Sequence, residues 1–166
     1  MLKNNFKKNI IFIIIFTFIF ATDRLSKLYI LNLAEIDQTL NLFVTPFLNF
    51  YLIWNKGIAF GLFSFDQNFI YNLITFLIVI ITLIILFIAL KSKDYKGYFF
   101  ISIFSGSIGN LYDRLYYSAV PDFIDLNYND FHWFIFNVAD VFITLGVVCL
   151  IFVEIIFNKV EKKTNE

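Results

Sequence analysis

Acidic, amide and basic side chains concentrate in a few short stretches of the chain, and their spacing is the first clue to chemistry. Asp140 follows Asn137 by three positions, and Asp122 lies in Val120-Pro121-Asp122-Phe123-Ile124-Asp125. The loop carrying Asp122 is short enough to fold back onto a helix that starts near Val138. The two carboxylates can then face each other across a small gap. Two close carboxylates do not both ionise easily, so one keeps a proton near neutral pH and the pair titrates as a unit. The ionised member can take a proton from water, and the protonated member can hydrogen-bond or protonate a carbonyl. That chemistry is peptide hydrolysis without a covalent intermediate.

Each stretch also has a plainer explanation. Asp140 alone suits a first helical turn, where the positive end of the dipole favours an acid. Asp23 and Lys27 share a helix face and make an ion pair that tolerates burial or snorkels to the interface. Ser26 lies on that side, and Arg24 points about 100° away. Asn110, Asp113 and Arg114 also share one face. They follow Gly106-Ser107-Ile108-Gly109, whose small residues let helices approach closely, so they read equally well as cement between helices. Arg114 complements a helix C-terminus, whereas Asp113 does not and needs another partner.

Other chemistries lack their residues. One histidine, His132, and one cysteine, Cys149, leave no His/Cys metal site. No phosphate loop and no G-x-S-x-G is present. His132 sits among aromatics and reads as an interface residue, and Cys149 as packing. No metal and no cofactor is expected.

The elements that must position these groups belong to a membrane protein. The chain is 60% apolar and 16% charged, with mean hydropathy +0.77. Soluble chains average roughly 45–50% and about 25%. The 13 basic and 13 acidic residues cancel, and no basic patch points to nucleic acid. The excess of Phe, Ile, Asn and Lys has the look of an AT-rich genome rather than of a binding feature. A bilayer crossing needs about 20 mostly apolar residues. Four stretches qualify: Ile10 to Leu31, Phe69 to Leu90, Tyr98 to Leu115 and Val138 to Phe157. The expected fold is an α-helical integral membrane protein, a four-transmembrane-helix bundle forming a single domain over residues 1–166.

Orientation follows from the lysines. Lys3, Lys7, Lys8, Lys91, Lys93, Lys96, Lys159, Lys162 and Lys163 are nine of the 13 basic residues, and four spans put all of them on one side. Both termini are therefore expected in the cytoplasm. Met1 to Ala21 also has the pattern of a signal peptide, but the apolar run resumes after Lys27 and no A-x-A site follows, so a retained span is expected. Residues 34–68 and 116–137 form an extracytoplasmic cap. Alternation from Phe47 to Asn55, then Lys56-Gly57, predicts a short strand and a turn. Trp54, Trp133, Tyr116 and Tyr117 fall at the outer headgroup level. The polar stretches all lie toward that side, which argues for a pocket open to the outer leaflet. A proton relay would instead carry polar groups across the full depth, and Phe69 to Leu90 has no charge.

The series Asp23-Arg24-Leu25-Ser26-Lys27, Asn55-Lys56-Gly57-Ile58-Ala59-Phe60-Gly61, Gly109-Asn110-Leu111-Tyr112-Asp113-Arg114, Val120-Pro121-Asp122-Phe123-Ile124 and Phe136-Asn137-Val138-Ala139-Asp140 resembles lipoprotein signal peptidase (signal peptidase II), the bacterial membrane aspartyl peptidase family. The resemblance implies a small extracytoplasmic β-cradle on four spans and location in the inner membrane. It implies removal of signal peptides from diacylglyceryl-modified prolipoproteins, with cleavage just before the lipid-modified cysteine, and inhibition by globomycin. It makes Asp122 and Asp140 the catalytic dyad. Asp23, Lys27, Asn55, Gly57, Asn110, Asp113, Arg114 and Asn137, with Ala59 and Phe60, match its supporting motifs. Arg114 is expected to pair with Asp113 or with the substrate backbone. Prolipoproteins and membrane lipids are the implied partners, and a monomer the implied state. Three departures stand out: Arg24 where Gln is usual, Lys56 and Ile58 where smaller residues are usual, and Pro121 where Val is common.

Overall fold

The computed structural model describes residues 2–37, 41–57, 68–128 and 131–164. Ile58, Ala59, Phe60 and Gly61 lie outside the described residues, as do the side chains of Lys3, Lys159, Lys162 and Lys163. The order is α1 (Leu2–Asp37), β1 (Asn41–Thr45), β2 (Leu48–Asn55), α2 (Asn68–Lys91), α3 (Lys96–Tyr117), β3 (Val120–Tyr128), β4 (Phe131–Phe136) and α4 (Val138–Thr164). Among the described residues three stretches are long and apolar enough to cross a bilayer: Phe6–Ile36, Phe69–Lys91 and Val138–Ile156. They turn Ile13, Ile14, Phe18, Leu77, Ile81, Leu83 and Phe152 outward. In water such faces would be costly, and in hydrocarbon they are the stable arrangement.

The fourth long helix, α3, is less apolar because it carries the Ser/Gly run and the Asn110, Asp113, Arg114 face. It packs against α1, α2 and α4. Two glycines set how closely. A Cβ on Gly106 would meet the Ala139 carbonyl oxygen at 2.6 Å, and one on Gly109 would meet Asp23 Oδ2 at 2.6 Å. Real Cβ atoms do not come that close, so the small residues of α3 bring α4 and α1 within reach of its polar face.

The strands form one antiparallel meander in the order β1-β2-β3-β4. The alternating segment from Phe47 is strand β2, as its pattern predicts, and Gly57 N donates to Asn55 Oδ1 at 2.8 Å in the turn that follows. The segment carrying Asp122 differs from the expected loop. It is strand β3, paired with both neighbours. The cause is local. α3 stops at Tyr117, Ser118 takes a left-handed conformation (φ 56°), and the chain reverses into β3 at once. Pro121 fits because β4 pairs with β3 only from Ile124 onward, so among the described residues no sheet partner lies on that side of Pro121. Ile30 of α1 and Phe123 of β3, with Phe50, Leu52 and Val138 around them, pin the sheet to the helices.

Candidate active site

Asp122 and Asp140 come from different elements, a strand and the start of a helix, and Asn137 joins them. Its Nδ2 donates to Asp122 Oδ1 at 2.6 Å, and its backbone N donates to Asp140 Oδ2 at 3.3 Å. Its Oδ1 accepts from Asp140 N at 3.1 Å. The last two bonds are a reciprocal cap on α4, with Asn137 at the N-cap and Asp140 three residues on. One asparagine thus starts the helix and ties it to β3. Asp140 Oδ1 accepts from Asn110 Nδ2 at 2.8 Å, and Asp122 Oδ2 accepts from Asn55 Nδ2 at 2.8 Å. The irregular register between Phe50 and Ile53 delivers Asn55 to that position: three steps along β2 span two along β3.

Both carboxylates are buried, as are Asn55 and Asn137. Burial pushes the Asp122 carboxyl up to about 7, and the neighbouring Asp140 charge pushes the same way. The Asn137 and Asn55 amides oppose that rise by donating to the carboxylate. Near neutral pH the site therefore holds a carboxyl poised between its two forms beside a second carboxylate, an arrangement suited to taking and giving protons.

Behind Asp140 lies an ionic cluster. Lys27 Nζ sits 2.9 Å from Asp23 Oδ1, 2.7 Å from Asp113 Oδ2 and 2.9 Å from Asn110 Oδ1. The Asp113 partner demanded by its place on the helix is therefore on α1. Arg24 joins too, despite its offset around the helix. Its guanidinium bonds Asp113 at 2.5 and 2.7 Å, Asp23 at 2.7 Å and the Gly109 carbonyl at 3.2 Å. The offset is bridged by the length of the side chain, and the Tyr112 ring lies 4.8 Å from its charge.

Arg114 takes another course. It donates to the Gly57 carbonyl and lies over the Tyr71 ring, while Tyr71 Oη donates to the Arg114 carbonyl at 3.1 Å. It makes no ion pair with Asp113, because Asp113 is engaged by Arg24 and Lys27. Among the described residues its buried Nη1 has no hydrogen-bond partner.

The structure thus brings Asp23, Lys27, Asn110, Asp113, Asn137 and Asp140 into one network that continues through Asn137 to Asp122 and Asn55. Gly57 and Arg114 are joined beside it. The sequence reading missed Arg24 as a member, and missed Ala139, whose N–H donates to Asp23 Oδ1 at 3.1 Å. The rule that an unpaired charge in a span seeks a counter-charge could have found Arg24. No residue pattern marks a backbone N–H such as that of Ala139. His132 pairs with Asp125 at 2.8 Å across β3 and β4, away from this network. Among the described residues no group of three or more His, Cys, Asp or Glu side chains could hold a metal.

Buried carboxylates held by amides, on a scaffold with membrane-length helices, are the arrangement a membrane aspartic-type peptidase requires. Comparison with known proteins narrows this. The chain belongs to the Signal peptidase (SPase) II family, whose pattern matches residues 15–157. It is 55% identical over 166 residues to a lipoprotein signal peptidase of Pelagibacter ubique (strain HTCC1062), covering 100% of this chain and 99% of that one. It is 38% identical over 152 residues to a lipoprotein signal peptidase of Anaplasma phagocytophilum (strain HZ), covering 90% and 94%. A solved bacterial membrane enzyme superposes with a TM-score of 0.72 at 27% identity, covering 87% of each chain. The protein is a bacterial membrane enzyme of the aspartic peptidase type.

Proposed function

We propose that this enzyme removes signal peptides from diacylglyceryl-modified prolipoproteins by cleaving just before the lipid-modified cysteine, with Asp122 and Asp140 as the catalytic residues. The observation that carries the reading is the junction at Asn137, where a strand carboxyl poised near neutral pH meets a helix-start carboxylate. The relatives named lipoprotein signal peptidase support the substrate class.

In this mechanism the pair holds one proton. The ionised aspartate takes a proton from water, and the water oxygen attacks the scissile carbonyl carbon. The protonated aspartate gives its proton to the carbonyl oxygen, which yields a neutral gem-diol. The aspartic acid that took the water proton then protonates the amide nitrogen, the other aspartate takes a proton from a gem-diol hydroxyl, the C–N bond breaks to give a carboxylic acid and an amine, and the pair again holds one proton. Asn55, Asn110 and Asn137 hold the carboxylates in place. Arg114 Nη1, buried near the turn at Gly57 and without a partner among the described residues, is the donor suited to a substrate carbonyl.

α3 serves as the fourth span. Its polar face turns to α1 and α4, so its charges are paired inside the bundle rather than offered to lipid. With four spans both termini are cytoplasmic and the site opens to the outer face of the inner membrane. The sheet is the cradle for the substrate, with Trp54 and Trp133 exposed at the interface. The enzyme acts as a monomer, and globomycin occupies the same site.

The test compares the purified wild type with Asp122→Asn and Asp140→Asn on a diacylglyceryl-modified prolipoprotein, following signal-peptide release by gel shift. Asn keeps the shape and removes the proton chemistry. Loss of cleavage in both, with folding intact, supports the dyad. Full activity in either removes that aspartate from the mechanism and returns Asp113 to candidacy. No cleavage by the wild type, together with no globomycin binding, overturns the substrate reading.

A further inference from the structure

We propose that Arg24 is a positioning residue of the peptidase: it completes a charge-balanced cluster with Asp23, Lys27 and Asp113 that holds Asp140 in its working orientation. The proposal rests on the dyad reading above.

The cluster contains two carboxylates and two cations, and it is shut off from solvent. Asp23, Lys27 and Asp113 are at most 1% exposed, and the Arg24 side chain is 14% exposed. Charges so placed must be paired, because an uncompensated charge away from water is strongly unfavourable. Arg24 supplies the second positive charge. Its planar fork spans both oxygens of Asp113 and still reaches Asp23, a geometry that lysine cannot copy. Phe20 and Tyr112 flank the guanidinium, at 5.9 and 4.8 Å from ring centre to charge.

Two routes run from this cluster to Asp140. In the first, Asp23 Oδ1 accepts the backbone N–H of Ala139, one of the unpaired donors at the start of α4. Holding Ala139 holds the residue directly before Asp140. In the second, Lys27 donates to Asn110 Oδ1, which leaves the Asn110 Nδ2 end to donate to Asp140 Oδ1. Lys27 can spare that bond because Arg24 satisfies most of the demand of Asp23 and Asp113. Without Arg24, Lys27 is, among the described residues, the one cation left against two buried carboxylates. It is drawn toward them and off Asn110, and the Asn110 amide is then free to turn its oxygen toward Asp140. Arg24 touches neither reacting atoms nor substrate in this scheme. Its effect reaches catalysis through the orientation of Asp140.

The experiment uses the full chain in detergent with the diacylglyceryl-modified prolipoprotein. It measures kcat and KM for wild type, Arg24→Gln, Arg24→Lys and Asp140→Asn, each normalised to its folded fraction. Arg24→Gln is expected to lower kcat at least about tenfold with KM within about twofold, the signature of an interaction expressed in the transition state. Arg24→Lys keeps the charge and loses the fork, so its kcat lies between the two. Should Arg24→Gln fail to fold, Arg24→Lys decides alone, with a kcat loss of about threefold or more at unchanged KM expected. A folded variant with wild-type kcat, or a loss confined to KM or to the folded fraction, overturns the proposal. Asp140→Asn separates the two levels. If it still cleaves, the dyad reading has failed; if it is inactive while Arg24→Gln is normal, only the role of Arg24 has.

Discussion

Asn137 does two jobs with one side chain, and they can be separated. Its oxygen caps α4 and its Nδ2 donates to Asp122. Serine keeps a capping oxygen and loses the amide donor, so Asn137→Ser leaves the helix start largely intact. Loss of the cap outright costs about 0.5–2 kcal/mol. A hydrogen bond to a charged group is worth about 1.5–3 kcal/mol, and at about 1.4 kcal/mol per decade its loss lowers kcat roughly 10- to 100-fold. The pH profile carries a second signature. In the proposed mechanism the pair holds one proton, which leaves as pH rises through the Asp122 value of about 7, and this gives the alkaline limb. Asn137 is one of two amides that favour the ionised form of Asp122. Its removal moves that pKa further up and shifts the alkaline limb to higher pH. The variant is therefore most impaired near pH 6 and less so near pH 9, relative to wild type. The assay is kcat against pH on the modified prolipoprotein, with thermal unfolding in detergent recorded in parallel. A kcat within about threefold of wild type, or a loss that follows unfolding with the alkaline limb unmoved, refutes the reasoning.

Three further outcomes are expected. Gly109→Ala forces a Cβ to within 2.6 Å of Asp23 Oδ2; overpacking of this kind costs about 1–3 kcal/mol, read as a lower midpoint of thermal unfolding in detergent. Asp122 binds its proton more tightly in the folded chain, so its contribution to stability is full below its ordinary value near 3.8 and is lost as pH rises to about 7. Some three pH units at about 1.4 kcal/mol each make this on the order of 4 kcal/mol, and Asp122→Asn should flatten that part of the stability curve. Tyr71→Phe removes the bond to the Arg114 carbonyl and keeps the ring beneath its guanidinium. A loss of about 1 kcal/mol in kcat/KM is expected from steady-state kinetics, and an unchanged value would show that Tyr71 does not hold Arg114.

The long helices were legible because hydropathy over a span-length window is a local property, and so was β2, whose alternation is local too. The strand nature of Val120–Tyr128 was not. Its first half is buried on both faces and includes Asp122, so the alternation that marked β2 is missing. The helices also run beyond the apolar stretches, α1 from Leu2 to Asp37 and α3 to Tyr117, because hydrogen bonding along the backbone does not stop where hydropathy does. Within the site, residue types located the amides and carboxylates, while partners did not follow from spacing. Arg24 was set apart by its angle about the helix, yet its six-atom reach returns it to Asp23 and Asp113. Arg114 stood next to Asp113 in sequence and turned instead to Gly57 and Tyr71.

That division has a physical reason. Asp122 and Asp140 sit on different elements, and neither β3 nor α4 alone fixes the relation between their carboxylates. Three asparagines do, each reaching in from a separate place: Asn55 from β2, Asn110 from α3 and Asn137 from the start of α4. An amide suits this task because it adds no charge where charge is costly and offers a donor at one end and an acceptor at the other. The donor ends point at the carboxylates, and the acceptor ends are engaged elsewhere: Asn110 by Lys27, Asn137 by the helix it caps, and Asn55 by Gly57 N–H. Fixing the acceptor end fixes which way the donor faces. The buried ionic cluster and the helix cap therefore reach the carboxylates through neutral groups, and the charge balance of the site can be kept apart from the proton that the proposed dyad moves.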